Sequence, residues 1–359
     1  MAYDGPRGQP ARMDARVLAV IDANDGLISR QKLLDLGVGP DAIRSLLRTR
    51  RGESRPALHV VRRGYYTTSE RWDGLDEYVG RPLLCARAVG LAARRGWVLS
   101  HDSACHLQGI PVLRPRESFV HITRPGWTNA WTEYGVKHHL ARFNQEQVVE
   151  VGGVRALDLA RTAVDMGREH GYLRGLVACD AVLRRGVRRD DLERALAIMK
   201  YWPGVRDARR AVRSADRGAE TVLETLAREL VIESGVGEPE TQFPVRTVRG
   251  VVWCDLRVGN LVVEADGEIK YRSVEDGRVA DDPRRAVFDE KVRERDIADR
   301  GLVVVRVIYA DLWGRHRPEA IARIRRGHVE AVRRFGRDLD PELAAEAAEI
   351  RARGDRRPA

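Results

Sequence analysis

Val251-Val252-Trp253-Cys254-Asp255-Leu256-Arg257-Val258-Gly259-Asn260-Leu261-Val262-Val263-Glu264-Ala265-Asp266-Gly267 alternates with period two around a Gly-Asn pair. This is the pattern of two strands with one buried face, joined by a two-residue turn at Gly259-Asn260. The turn sets Asp255 directly opposite Glu264, and Trp253 opposite Asp266. One face then carries Val252, Cys254, Leu256, Val258, Leu261, Val263 and Ala265, which is core. The other, on the solvent side, carries Asp255, Arg257, Glu264 and Asp266. Directly opposed Cβ atoms lie roughly 5 Å apart, so two carboxylates so placed repel each other. A bound divalent cation or the neighbouring Arg257 offsets that repulsion. Mg²⁺ (or Mn²⁺) is the ion expected there, since it accepts one or two carboxylates together with phosphate oxygens and water. The alternative is a solvated strand face neutralised by Arg257.

Working outward, Ala219–Ile232 reads as a helix with Leu223, Leu226 and Leu230 inward and Glu220 and Glu224 one turn apart. Either acid could lean over the sheet. Lys270 follows Gly267 and could serve as a point charge on a reacting oxygen. A helix is expected over Ala286–Arg300, with Glu290, Lys291, Arg293 and Arg295, stopping at Gly301. The apolar run Leu302–Ile308 reads as a buried strand. AETVLETLAREL, VVWCDLRVGNLVVEADGEIKY and EKVRERDIADRGLVVVRVIYADL, in this order, resemble the PD-(D/E)xK nucleases, and within them the group related to very-short-patch-repair endonucleases. The resemblance covers about residues 216–315. It implies a restriction-endonuclease-like α/β domain in which Asp255 and Glu264 bind the metal. Asp266 stands where that pattern has lysine, so Lys270 or Lys291 takes the lysine's place. The candidate catalytic set is Glu220, Glu224, Asp255, Glu264, Asp266, Lys270 and Lys291. The missing lysine bears on activity rather than on fold.

Residues 14–68 read as three helices and a hairpin. Val17, Leu18 and Ile21 share a face, and Asn24-Asp25-Gly26 stops the first helix. Ser29 caps the second, which ends at Gly37. Pro40 opens the third, read through about Arg50 with Ile43, Leu46 and Leu47 inward. Leu58–Tyr66 reads as a two-stranded wing. This is the outline of a winged helix-turn-helix, whose third helix fits the major groove. That helix carries Arg44, Ser45 and Arg48, then Arg50 and Arg51, while Arg62 and Arg63 sit on the wing. Residues 1–68 hold 12 Lys/Arg against 7 Asp/Glu, a footprint suited to phosphates. The alternatives are an ordinary solvated face and a wing that holds a protein partner. ISRQKLLDLGVGPDAIRSLLRTR followed by LHVVRRGYYT resembles the N-terminal domain of the AbiEi antitoxins. That resemblance implies operator binding and a cognate toxin as a partner. VLSHDSACHLQGIPV, VHITRP and VKHHL resemble the middle region of the same proteins.

The middle region is mixed α/β, with strands at Val98–Ser100 and Phe119–Thr123 and helices at Leu157–Gly167 and Tyr172–Arg184. It concentrates His101, His106, His121, His138 and His139. None has the HxxxH spacing of a helical zinc site, so structural or solvent-facing roles are expected.

The whole is read as an α+β/α/β multidomain chain: winged helix-turn-helix at 14–75, mixed α/β domain at 76–202, nuclease-like domain at 203–338 and charged segment at 339–359, either a solvated helix or a tail. The 359 residues carry 63 basic and 53 acidic side chains, net +10, which favours polyanionic partners. Cys85, Cys105, Cys179 and Cys254 form no CxxC pair, so neither a disulfide framework nor a zinc knuckle is expected. With no apolar leader and no membrane-length apolar run, a reduced cytoplasm is the expected compartment. Two functions follow: a DNA-binding protein with a Mg²⁺-dependent nuclease domain, or a non-catalytic repressor of antitoxin type with a degenerate one. A third, RNA-directed nuclease, is weaker.

Overall fold

The computed structural model describes residues 13–49, 54–94, 96–113, 118–127, 129–267 and 292–353. It is a mixed α/β protein with helices and three separate sheets. The chain folds as two compact units. The first contains the described residues up to His170 together with Ala195–Val205, and the second contains Gly171–Arg194 and the residues from Arg206 onward. The division expected near residue 202 is therefore replaced by one in which the chain changes unit more than once.

The first unit opens with α1 (Ala15–Ala23), β1 (Ile28–Ser29), α2 (Arg30–Asp35), α3 (Pro40–Leu46), β2 (Leu58–Arg62), β3 (Tyr65–Thr68) and α4 (Ser69–Gly74). Asp14 caps α1 by accepting from the Arg16 N–H, and Ser29 caps α2 by accepting from the Lys32 N–H at 3.1 Å. Asp25 and Gly26, at φ 52° and 92°, reverse the chain between α1 and β1. Val17, Ile21, Ile28, Leu33, Ile43, Leu46, Leu58 and Tyr66 form one core, and the three strands pair in the order β1-β3-β2. The helix expected to run to Arg50 ends at Leu46. There the Leu47 N–H bonds back to Ile43 and the Arg48 N–H to Ser45, tightening the last turn. Arg48 thus lies beyond α3 and does not share a helical face with Arg44.

Next come α5 (Gly80–Ala92), β4 (Val98–Leu99), α6 (His101–Gln108), β5 (Val120–Arg124), β6 (Asn129–Glu133), β7 (Val136–Leu140), β8 (Val148–Val151), β9 (Val154–Leu157) and α7 (Leu159–His170). Six strands pair in the order β6-β7-β5-β4-β9-β8, with β5–β7 and β4–β9 parallel and the other neighbours antiparallel. Ala86, Val89, Leu99, Ala104, Leu107, Ile122, Val136, Val154 and Ala156 make the core between this sheet and α5 and α6. Gly90 lets α5 approach closely, since a Cβ there would stand 2.3 Å from Val154 Cγ1.

The second unit contains α8 (Tyr172–Arg184), most of α10 (Val205–Ser214), α11 (Val222–Ser234), β10 (Glu240–Thr247), β11 (Gly250–Val258), β12 (Leu261–Asp266), a helix α12 over 292–298, β13 (Val303–Ile308), α13 (His316–Phe335) and α14 (Pro341–Ala352); α9 (Arg189–Ala197) straddles the division. The strands pair β10-β11-β12-β13, antiparallel except for the parallel pair β12–β13. Gly327 of α13 lies against Val305 and Leu261, where a Cβ would sit 2.5 Å from Val305 Cγ2. On the other face Phe243, Val245, Cys254, Val262, Ile297 and Leu302 pack with Leu343 and Ala347 of α14. Pro341–Ala352 is therefore a docked helix, neither a solvated one nor a tail: Leu343, Ala347 and Ile350 are buried, and Arg351 pairs with Glu240. Buried Asp180 of α8 accepts from Arg228 and Thr225 of α11, both at 2.9 Å, and braces the two helices.

Candidate functional sites

The hairpin turn falls at Gly259-Asn260, with Val258 paired to Leu261, Arg257 to Val262 and Leu256 to Val263. Gly259 has φ 56°, as such a turn requires. The ladder departs from strict alternation at the next residue. Cys254, Asp255 and Leu256 are buried in succession, and Cys254 packs with Val262 rather than on the face of Leu256 and Val263. The cause is polar: Asp255 Oδ2 accepts the Ala265 N–H at 2.9 Å. That bond draws the carboxylate against the backbone immediately after Glu264.

The acidic face is not on the solvent side. Helices cover both faces of the sheet, leaving Asp255 7% and Glu264 9% exposed. Nor does Arg257 neutralise this pair. It stands opposite Glu240 in the β10–β11 ladder and its guanidinium bonds that carboxylate instead. The cation at Glu264 is Arg293 of α12, with Nη2 3.2 Å from Oε2 and also donating to the Trp253 carbonyl at 2.8 Å. Asp266 has Arg306 at 4.0 Å.

Glu224 is the acid from the preceding helix, while Glu220 lies outside α11, which starts at Val222 behind the N-cap Thr221. Thr221 caps α11: Glu224 N–H donates to Thr221 Oγ1 at 3.1 Å, and the Glu224 carboxylate reaches back beyond the cap, where Oε2 accepts the Glu220 N–H at 2.8 Å. Burial, and then the charge of Asp255, push the Glu224 carboxyl up to about 7. Burial pushes the Cys254 thiol up as well, with Glu264 adding to it. Glu224, Asp255 and Glu264 are buried oxygen donors, but among the described residues they do not bring three ligating atoms within 4.8 Å of one another. Lys270 and Lys291 lie outside the described residues.

In the first unit Arg44, Ser45, Arg48 and Arg63 are exposed and Arg62 is half-buried. Arg44 pairs with Asp41 one turn earlier. Arg50 and Arg51 lie outside the described residues.

Sequence reasoning assigned no chemistry to the histidines, yet they gather. His101 begins α6, and His121 of β5 and His139 of β7 lie on neighbouring parallel strands, with Thr123 beside His139 and Lys137 beside His121. Ile122 faces the apolar core, so alternation turns His121 to the other face. His121 Nδ1 is 3.0 Å from His139 Nε2, and the His101 and His139 rings stack at 4.0 Å. His101 Nδ1 meets Ser100 Oγ at 2.9 Å. Asp102 Oδ2 lies 3.5 Å from His121 Nε2 and also bonds His170 Nε2. His101, Asp102, His121 and His139 are all buried. Burial holds His121 down at about 4 and His139 at about 3, and lowers His101 well below the ordinary value. Each is a neutral base at pH 7. Among the described residues, the sets of three or more ligating atoms within 4.8 Å of one another are His101-His121-His139 and Asp102-His121-His170. His138 does not join them. It stacks on Trp131 at 4.9 Å. The missing signal is understandable: each histidine sits on a different element, so no local spacing marks them.

No family model matches the chain. Two uncharacterized proteins of Mycobacterium tuberculosis, MT2308 of strain CDC 1551 / Oshkosh and Rv2248 of strain H37Rv, are each 29% identical over 187 residues, which is 52% of this chain. The match spans 66% of the length of each. The crystal structure of the Mycobacterium tuberculosis protein RV2827C aligns with 56% of this chain and 81% of its own, at 14% identity and a TM-score of 0.33. Among the described residues, no helix is long and apolar enough to cross a membrane. None of the four cysteines is in a disulfide, and Cys105, Cys179 and Cys254 are buried.

Proposed function

We propose that the chain binds DNA through its N-terminal three-helix, β-hairpin segment, a winged helix, and cleaves phosphodiesters in a PD-(D/E)xK-like domain of the second unit. The observation that carries this reading is the convergence of Glu224 and Asp255, two like charges in a buried place. Burial first, and the charge of Asp255 second, raise the Glu224 carboxyl to about 7. A fold gains no stability from that arrangement, so a cation partner accounts for it. Asp255 and Glu264 would hold the ion. Bound there, Mg²⁺ or Mn²⁺ supplies charge neutralisation for the phosphodiester and acidifies a water. Glu264 is oriented by Arg293, and Asp255 by the Ala265 N–H. Glu224 keeps a proton near neutrality until positive charge arrives. The exposed Arg44, Arg48 and Arg63 supply phosphate contacts, and Ser45 lies among them.

Two observations favour a second reading, the non-catalytic repressor with a toxin partner. Asp266 occupies the lysine position, and Glu224 is already engaged in capping its helix. Incubation of supercoiled plasmid with Mg²⁺ or Mn²⁺ separates the two. The nuclease reading expects metal-dependent nicking that Asp255→Ala abolishes. A salt-dependent gel shift with no cleavage of DNA or RNA selects the repressor.

A further inference from the structure

We propose that His101, His121 and His139 form a three-histidine site for a borderline transition-metal ion of the Zn²⁺ type, in the first unit and independent of the carboxylates in the second. The three ligating atoms lie within 4.8 Å of one another. Zn–N bonds of about 2.0–2.1 Å in a tetrahedron put ligating nitrogens about 3.3 Å apart. The His121 Nδ1 to His139 Nε2 separation is 3.0 Å, already of that size.

The second observation is an orphaned donor. His101 Nε2 is buried without a hydrogen-bond partner in a side chain only 1% exposed. An imidazole nitrogen left dry in a polar place costs free energy unless something binds it. Its other nitrogen is taken by Ser100 Oγ, which leaves Nε2 as the ligating atom.

The outer contacts follow the same logic. A metal-bound histidine usually has its remote nitrogen held by a carboxylate or hydroxyl, which fixes the ring and its tautomer. Ser100 does this for His101. Asp102 Oδ2, bonded to His170, stands 3.5 Å from His121 Nε2, where it can do the same for His121. Asp102 Oδ1 is itself buried without a hydrogen-bond partner. A cavity of about 390 Å³ has Asp102, Ser103 and His106 in its wall. Three nitrogen ligands select Zn²⁺, Co²⁺ or Ni²⁺ over Mg²⁺, so the two units would take different ions. The ion would tie the start of α6 to β5 and β7.

The test uses the full chain stripped with a chelator, titrated with ZnCl₂ alone against a chromogenic competitor, and with CoCl₂ followed by visible absorption. One Zn²⁺ per chain is expected, with intense Co²⁺ d–d bands of four-coordinate type. His101→Gln and His139→Gln each weaken binding about 100-fold or more, and Asp102→Asn about 10- to 100-fold. His138→Ala binds as the native chain does. His101→Gln keeps a polar group that can meet Ser100 Oγ while removing the ligating Nε2, and a native circular dichroism spectrum of the variant shows that its loss of binding reports on the ion. A folded chain that takes up no Zn²⁺ overturns the proposal. So does binding that survives His101→Gln but is lost in His170→Gln, which would move the ion to Asp102-His121-His170. Binding abolished only by Asp255→Ala would assign it to the second unit and overturn the proposal equally.

Discussion

The two units bury ionisable clusters of opposite kind, and they respond to pH with opposite sign. In the first unit His121 and His139 fall from the ordinary 6.5 to about 4 and about 3. A depressed base contributes stability that is complete above its unfolded value and lost as pH falls through 6.5 toward the folded value. In the second unit Glu224 rises from 4.5 to about 7 and Asp180 from 3.8 to about 6, each chiefly by burial. A raised acid contributes stability that is complete below its unfolded value and lost as pH rises toward the folded one. The lesson is chemical. Buried imidazoles are neutral at pH 7 and offer lone pairs at no charge cost. Buried carboxylates must either keep a proton or acquire a cation.

The largest expected effect bears on the carboxylates. Asp255→Ala lowers the rate of metal-dependent plasmid cleavage on the order of 10³-fold, consistent with several kcal/mol of transition-state stabilisation. Nicking that persists in that variant removes Asp255 from the mechanism. The next effect bears on the histidines of the metal-free chain. Acidification from pH 7 to 4 destabilises the first unit by several kcal/mol, at about 1.4 kcal/mol per unit of displaced pKa. Hydrogen exchange resolved by peptide reads this directly. Protection should fall in β5 and β7 before it falls in β11 and β12, and a loss shared equally by both units would break the comparison.

A smaller effect concerns Glu224. Glu224→Gln removes a carboxyl that opposes folding between pH 4.5 and 7. The variant gains up to about 3 kcal/mol over the native chain at pH 8, with little difference at pH 4. Denaturant unfolding at both pH values decides it, and an equal change at both would mean only the helix cap is being read. Arg293→Ala leaves Glu264 buried beside a vacated cation and costs about 2 kcal/mol, measured as a lowered melting temperature. Mg²⁺ should restore part of that loss if Asp255 and Glu264 share the ion. The smallest effect lies in the DNA-binding segment. Arg44→Ala and Arg48→Ala each weaken binding by about tenfold or less and reduce the salt slope by about 1. Unchanged slopes in both variants would exclude the end of α3 as a phosphate-contacting surface.

Much of the second unit was legible because its signals are local. Gly259-Asn260 sets a register that its immediate neighbours obey, and the spacing of Leu223, Leu226 and Leu230 marks the helix over them, although it begins at Val222 rather than at Ala219. The same local reading failed where a side chain captured backbone. Asp255 takes the Ala265 N–H, and with it the alternation that had put Cys254 beside Leu256. Arg257 was misassigned because its partner Glu240 lies on β10, a strand that period-two reading of the hairpin does not include. The stretch from Pro341 reads as charged and Ala-rich, and only the presence of Phe243 and Val245 opposite Leu343 and Ala347 makes its small apolar stripe sufficient for docking.

By itself the sequence determined the turn, the caps, the apolar cores of individual elements and the placing of acids on one hairpin, because these depend on contacts between residues near in the chain. Tertiary structure alone decided which ionisable groups lose their water. His101, His121 and His139 become a cluster only when α6 meets two parallel strands, and Asp255 and Glu264 become buried only when helices close over both faces of their sheet. Desolvation is a property of everything packed around a group, so no pattern in its own segment encodes it.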